Sequence, residues 1–437
     1  MIKFRRWIAR KPFHCLQIIS EFIRIYYLTK ENTMLLENEK INFDEEEISS
    51  VQYNDEKINA KYISGDVRIV TEQARYPLDT INMMIDSGNY ELNPDFQRRR
   101  RWNNEKKSKL IESFIMNVPI PPIFLYENDF SHYEVMDGLQ RLTTIYDFYT
   151  DKFELEGLQL WRELNGRTYS SLPEKVKKGI DRRYLSSIIL LQESAKNDEE
   201  AMRMKQLVFE RINSGGVQLE PQETRNALYD GNMNQLCIKL SRNHYLCKFL
   251  KIPYDGDIDT EDCVSDELLE KLNNNEIYRQ MQDVEYVLRF FAMRQLEGYG
   301  KRKLKDYLDF YLREANKFSE SLLGELEKVF NETIKLAYDI FGEKAFYMYR
   351  KRLKDGNENW NWFARTTTTI YDPLMQCLSD MLPYRETLIK QRKNICNDIV
   401  LFYQENYTDF EGRSNNKADI IKRIEKLDDF LKKYVMD

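Results

Sequence analysis

The stretch EVMDGLQRLTTIYDFY, from Glu134 to Tyr149, decides how the chain is read. It has the pattern of a strand that turns sharply at Asp137-Gly138 and enters a helix. Gly138 has no Cβ, so the backbone there is free to approach a ligand closely. The amides that follow, near Leu139 and Gln140, leave the helix N-terminus, where anions bind well. Arg141 falls in the first turn, where the helix dipole disfavours a cation. A phosphate or carboxylate sharing the turn would account for it. Thr143 and Thr144 add hydroxyl groups, and Leu142, Ile145, Tyr146 and Tyr149 form the face to be buried. The plain alternative is a strand–turn–helix junction with an Asp cap and a solvated arginine.

Outward from this stretch, alternation and helical spacing define the neighbouring elements. IFLY and YEVM read as two strands joined by the polar turn ENDFSH. Upstream, Asn103 or Asn104 caps a helix through Leu110, Ile111, Phe114, Ile115 and Val118, stopped by Pro119, Pro121 and Pro122. Val67, Ile69 and Val70 indicate a short strand, and Pro77 opens a helix that ends at Gly88. Downstream, a helix starts at Pro173, a strand covers SSIILLQ, and Asp198 caps a helix ending at Asn213-Ser214-Gly215-Gly216. Glycine just past a helix end suits a left-handed C-cap. Pro221 opens another helix, and from about Asn275 onward the pattern is almost wholly helical. The reading is α+β: a small mixed sheet with helices, then a mostly α-helical C-terminal region. Its divisions are an N-terminal extension and acidic linker over 1–62, a site-bearing domain over 63–220 and a helical domain over 221–437.

Composition narrows the chemistry. The 437 residues suffice for two domains, at roughly 150–200 residues each. The net charge of −6 confines any nucleic-acid surface to a local patch. Six scattered cysteines without a CxxC pair indicate a reduced, cytoplasmic protein, neither a disulfide scaffold nor a zinc site. The three histidines, His14, His132 and His244, are too far apart in sequence for a His-centred triad or His-based metal site. The first 33 residues carry seven Lys/Arg against two acids around an apolar run from Phe13 to Leu28. Glu21 and Arg24 interrupt that run, and it falls short of the ~20 apolar residues of a membrane span. It is read as an amphipathic helix or as an extension upstream of Met34. Residues 37–57, with eight acids and two lysines, are read as an exposed linker or arm, and the ordered body is expected to begin near Ile63.

The basic run Arg98–Arg101 is followed by Lys106, Lys107 and Lys109. Residues 98–109 thus hold seven positive charges against one acid, net +6. Neighbouring like charges repel, and a polyanion, nucleotide phosphate or nucleic-acid backbone, relieves the repulsion. The alternative is a solvated extended segment.

Five blocks in order, NPDFQRRRRW, VPIPPIFLY, VMDGLQRLTTI, FERINSGGVQLEPQETRNALY and DVEYVLRFFAM, resemble the N-terminal domain of GmrSD-type restriction endonucleases over about residues 63–315. The resemblance implies a ParB/sulfiredoxin-like fold and a nucleotide-binding, NTP-hydrolysing sensor of an anti-phage or modified-DNA restriction system. The family signature Asp-Gly-Gln-Gln-Arg is matched by Asp137, Gly138, Leu139, Gln140 and Arg141, with Leu139 replacing the first glutamine. If Leu139 faces the core the replacement is harmless; if that position touches nucleotide or water, hydrolysis is weakened. The Pro-Asp-Phe-Gln-Arg block is matched by Pro94 to Arg98, and the Asn-x-Gly-Gly turn by Asn213, Gly215 and Gly216. The resemblance implies catalytic roles for Asp137, Gln140 and Arg141. It places a nucleoside triphosphate on Gly138, Thr143, Asp95, Gln97, Arg98 and Asn213, with Mg²⁺ on Asp95 and Asp137. Arg99, Arg100, Arg101, Lys106 and Lys107 are the candidate DNA contacts. The His-Asn-His nuclease domain that many members carry finds no histidine beyond His244 here, so a cutting activity is expected from a partner nuclease or effector, or from the ParB-like site itself. Two other readings compete: a non-catalytic DNA- or partner-binding module that uses nucleotide as a switch, and a metal-dependent nuclease acting through Asp95 and Asp137.

Overall fold

In the computed structural model the described residues are 35–43, 54–64, 69–92, 102–191, 198–213, 220–254, 266–300, 302–354, 357–412 and 416–435. The apolar N-terminal run, Asp95, Gln97 and Arg98–Arg101, and the turn at Gly215 and Gly216 lie outside them. The chain divides into two compact units, Phe43–Val287, and Met1–Asn42 with Leu288–Asp437. The expected borders after residues 62 and 220 both fall inside the first.

The first unit is built on a five-stranded sheet in the order β1-β5-β3-β4-β2. The strands are β1 (Thr71–Pro77), β2 (Tyr90–Glu91), β3 (Ile123–Asp129), β4 (His132–Asp137) and β5 (Tyr184–Leu190). β1 runs antiparallel to β5, β5 parallel to β3, β3 antiparallel to β4, and β4 parallel to β2, so the sheet is mixed. Four strand spacings of ~4.8 Å put β1 and β2 ~19 Å apart in a flat sheet. Yet the rings of Tyr76 on β1 and Tyr90 on β2 lie 6.2 Å apart, and Tyr90 stacks on Tyr133 at 5.1 Å. The sheet therefore curls until its edges approach each other.

Helices α1 (Asp55–Ser64), α2 (Ile81–Asp86), α3 (Asn104–Met116), α4 (Leu139–Tyr149), α5 (Glu174–Asp181), α6 (Asp198–Asn213) and α7 (Pro221–Leu228) accompany the strands. Asn103 caps α3 by accepting a hydrogen bond from Lys106 N at 3.0 Å. Asn117 ends it in the left-handed conformation, φ 61°, before the prolines. One face of the sheet, with Ile123, Leu125, Val135, Leu185 and Ile189, forms a core with Ile81 of α2, Ile111 and Phe114 of α3, and Leu142, Ile145 and Phe148 of α4. Each such large side chain, fully buried, contributes about 1.5–3 kcal/mol. The opposite face meets α6: Lys205 Nζ lies 2.6 Å from Glu134 Oε2 on β4 and 5.5 Å from the Tyr126 ring on β3. Further helices follow at Asn232–Ser241, His244–Leu250 and Asp266–Asn274.

The second unit contains α8 (Leu304–Ala315), α9 (Glu320–Phe341), α10 (Thr368–Asp380), α11 (Arg392–Glu405) and α12 (Lys417–Lys432). The buried α10 carries Asp372, which accepts from Arg289 Nε at 3.0 Å and also from Arg289 Nη2. A two-stranded hairpin, β6 (Met348–Lys354) and β7 (Asn357–Phe363), interrupts the helices.

The structure corrects three expectations. The segment 71–77 is a strand, and the helix placed from Pro77 is a short 3-10 turn followed by α2; TEQARYP is an exposed edge strand with no apolar alternation to reveal it. The acidic stretch is not an exposed arm throughout. Glu39 is fully buried and binds Arg294 with both oxygens, at 2.7 and 2.9 Å, while Gln295 bonds Glu39 O and Ile41 N. Ordered structure begins well before Ile63, which is an exposed side chain of α1. The third concerns the near-continuous helix pattern after Asn275, which the β6–β7 hairpin breaks. No helix among the described residues is long and apolar enough to cross a membrane.

Candidate functional site

β4 ends at Asp137 and α4 begins at Leu139, with Gly138 between them at φ 99° and ψ 10°. A Cβ on Gly138 would stand 2.3 Å from Ile123 Cγ2, 2.9 Å from Ile123 Cβ and 3.1 Å from Arg141 Nη2. Backbone conformation and the neighbouring strand both demand glycine here. The space that a side chain would fill is occupied by Ile123, so packing accounts for Gly138 without a ligand.

Arg141 is partnered from both sides. Its Nη2 donates to Asp137 Oδ2 at 2.6 Å and its Nη1 to Pro121 O at 2.8 Å. The Asp137 carboxylate thereby offsets the cost of a cation at a helix N-terminus. The Arg141 side chain is only 12% exposed and that of Asp137 40%, so the pair reaches solvent through the carboxylate. Leu139 is buried in the core beneath the turn. The glutamine missing from the family signature is therefore replaced at a core-facing position. Gln140 Oε1 accepts from Trp102 N at 3.1 Å. Trp102 directly follows the Arg98–Arg101 run in sequence. Thr143 donates to Leu139 O at 2.9 Å and Thr144 to Gln140 O at 2.6 Å. Both hydroxyls bond the helix backbone, and Gly138 has no side chain with which to cap the first turn.

The lysines of α3 differ. Lys107 Nζ pairs with Asp147 Oδ2 at 2.9 Å and sits 5.2 Å from the Phe153 ring, joining α3 to α4. Lys106 is exposed, with its ammonium 4.8 Å from the Trp102 ring. Asn213 is the last residue of α6. Asp137 is the described member of the expected metal pair. Among the described residues no group of three or more His, Cys, Asp or Glu is placed to hold a metal ion.

Two features escaped the sequence reading. Pro121 supplies the carbonyl that fixes Arg141, and Ile123 supplies the wall behind Gly138. The block VPIPPIFLY contains both, but its prolines were read only as a helix stop. A separate cleft of about 720 Å³, lined by Asn104, Asp151, Phe153, Glu156, Asn165 and neighbours, does not include the Asp137–Arg141 turn. Near it, the Tyr149 and Tyr169 hydroxyls both donate to Asp181 Oδ1 at 3.0 Å. Burial and the Asp181 carboxylate push the Tyr169 phenol up to about 12 and raise that of Tyr149 further.

Residues 79–229 match the family model described as GmrSD restriction endonuclease, N-terminal domain. No curated protein and no solved structure matches the chain. The matched residues include strands β2 to β5, helices α2 to α7 and the whole Asp137–Arg141 turn, and this part of the chain belongs to the GmrSD restriction endonuclease N-terminal domain family.

Proposed function

We propose that the chain is the nucleotide-binding, NTP-hydrolysing sensor component of a prokaryotic restriction system directed at phage or modified DNA. The observation that carries this reading is the Asp137–Arg141 pair, set at an uncapped helix N-terminus within a domain of the restriction family. A triphosphate approaching the exposed side of Asp137 meets Arg141 already oriented by Asp137 and Pro121. Arg141 and Gln140 then bind and polarise phosphoryl oxygens, and Asp137 fixes the guanidinium and orients the attacking water. Arg98, Gln97, Asn213 and Thr143 complete the nucleotide site in this reading, and Arg99 to Arg101 with Lys106 face DNA. Mg²⁺ typically takes one or two carboxylates together with substrate phosphates, and in this reading Asp137 and Asp95 supply them. The ion would neutralise phosphate charge. Core-facing Leu139 leaves the solvent side of the signature intact. Cutting belongs to a partner nuclease or effector, and the setting is cytoplasmic.

One observation favours the switch alternative, in which nucleotide binds without turnover: Asp137 Oδ2 is engaged by the Arg141 guanidinium. The test is nucleotide binding and hydrolysis by the purified chain, with and without DNA. Arg141→Ala removes a charge-assisted contact worth about 1.5–3 kcal/mol, so affinity should fall roughly 10- to 150-fold. Circular dichroism checks that the fold persists. A folded variant that binds every nucleotide as the wild type does would refute the phosphate role. Binding without hydrolysis would select the switch.

A further inference from the structure

The β6–β7 hairpin has two chemically distinct faces. Its register runs from Met348↔Phe363 through Arg350↔Asn361 and Arg352↔Asn359 to Lys354↔Asn357. Alternate residues point to opposite sides. On one side Tyr349 stands 5.2 Å from Trp362 and 5.8 Å from Trp360. Trp362 meets Tyr403 of α11 at 6.2 Å, and Trp360 meets Tyr407 at 5.3 Å. This aromatic side is fixed against the helices.

The other side carries Arg350 opposite Asn361 and Arg352 opposite Asn359. Arg352, Asn359 and Asn361 are exposed. The Arg350 guanidinium lies 3.6 Å from the centre of the Phe363 ring, and its buried Nε has no hydrogen-bond partner. Among the described residues neither arginine has a carboxylate partner and neither asparagine amide makes a hydrogen bond. The two arginines, one strand period of ~6.8 Å apart, repel each other. Across the hairpin, residues 348–363, four cations (Arg350, Lys351, Arg352, Lys354) stand against two acids (Asp355, Glu358), net +2 in a chain of net charge −6.

We propose that this outward face is a docking surface for duplex DNA. The proposal rests on the restriction reading, which makes DNA the polyanion at hand. A two-stranded ribbon fits a major groove ~12 Å wide, and seven residues extend it ~20 Å along the groove. Arginine serves phosphate or guanine and asparagine serves adenine, so the face holds both positioning and reading groups. The deep, narrow major groove of A-form RNA does not admit such side chains. Single strands are bound by aromatic stacking; here Tyr349, Trp360 and Trp362 lie on the protein side, and the Phe363 ring on the outward side is already covered by the Arg350 guanidinium.

The test uses the full chain and a labelled 20-base-pair duplex titrated between 50 and 200 mM salt. Arg350→Ala with Arg352→Ala should make the slope of log affinity against log salt shallower by about 1.8, two contacts at ~0.9 each. Over the fourfold rise in salt the wild type should then lose about 12-fold more affinity than the variant. Arg352→Glu, at an exposed position, should weaken binding without disturbing the stacked Arg350. Asn359→Ala with Asn361→Ala should change sequence preference while leaving the salt slope alone. Wild-type affinity and slope in both arginine variants would overturn the proposal. So would a loss confined to Arg99→Ala, Arg100→Ala and Arg101→Ala, or a larger effect on RNA than on duplex DNA. Nucleotide binding is measured in parallel. A chain that binds DNA through the ribbon but no nucleotide refutes the nucleotide role alone, and the reverse refutes the ribbon alone.

Discussion

Gly138→Ala separates a structural glycine from a ligand-contacting one. Two costs follow from the geometry. A residue with a Cβ held at φ 99° is strained by about 1–2 kcal/mol. The new methyl, 2.3 Å from Ile123 Cγ2, adds an overpacking cost of about 1–3 kcal/mol. Together they destabilise the β4–α4 junction by about 2–5 kcal/mol. Because the chain has two compact units, a global melt is a poor measure. Hydrogen exchange of the α4 amides reads the junction directly, and 2 kcal/mol corresponds to roughly 30-fold faster exchange. Ile123→Ala removes the nearest atom but leaves Cβ at 2.9 Å, so it should relieve part of the clash. The double variant should be less damaged than the sum of the single ones, with a coupling of about 1 kcal/mol or more. Strict additivity, or wild-type exchange in Gly138→Ala with nucleotide binding abolished, would refute the packing argument and return the glycine to the ligand.

Two further outcomes follow from buried charge. Glu39→Ala removes the carboxylate that binds the buried Arg294 guanidinium with both oxygens and should destabilise the second unit by about 3–5 kcal/mol; a urea midpoint unchanged from wild type would contradict this. Burial works to raise the Glu112 carboxyl, but hydrogen bonds from the Trp161, Leu160 and Gln159 amides outweigh it and hold the group below its ordinary value. A depressed carboxyl contributes stability that is complete above its unfolded value of about 4.3 and is lost as pH falls through the lower folded value. The Leu160 and Trp161 amide resonances should therefore titrate with a midpoint below the ordinary carboxyl value, and Glu112→Gln should abolish that titration; a midpoint at or above the unfolded value would count against the assignment.

Local chemistry made much of this protein legible in its sequence. Asn103 and the prolines at 119, 121 and 122 bound α3, the alternation of IFLY and YEVM marks β3 and β4, and Asp198 and Pro221 mark the starts of α6 and α7. The strand–turn–helix at Asp137–Arg141 was visible because a glycine between an apolar strand and an amphipathic helix is a short-range signal. Those features depend on residues within a turn or two of one another. The tertiary structure decided everything that depended on distant partners. β1 is a strand because it pairs with β5 more than a hundred residues later (Thr71↔Leu190), not because TEQARYP favours one. Glu39 sits in an acidic stretch that reads as solvated, yet its partner Arg294 lies 255 residues away and takes it inside. Gly138 was legible as a turn, but the reason it must be glycine is Ile123 on the neighbouring strand. Arg141 was legible as an anomaly, and only folding shows that Asp137 and Pro121 resolve it. Periodicity and capping are set by the chain's own repeat, whereas burial, ion pairing and close packing are set by which segments meet.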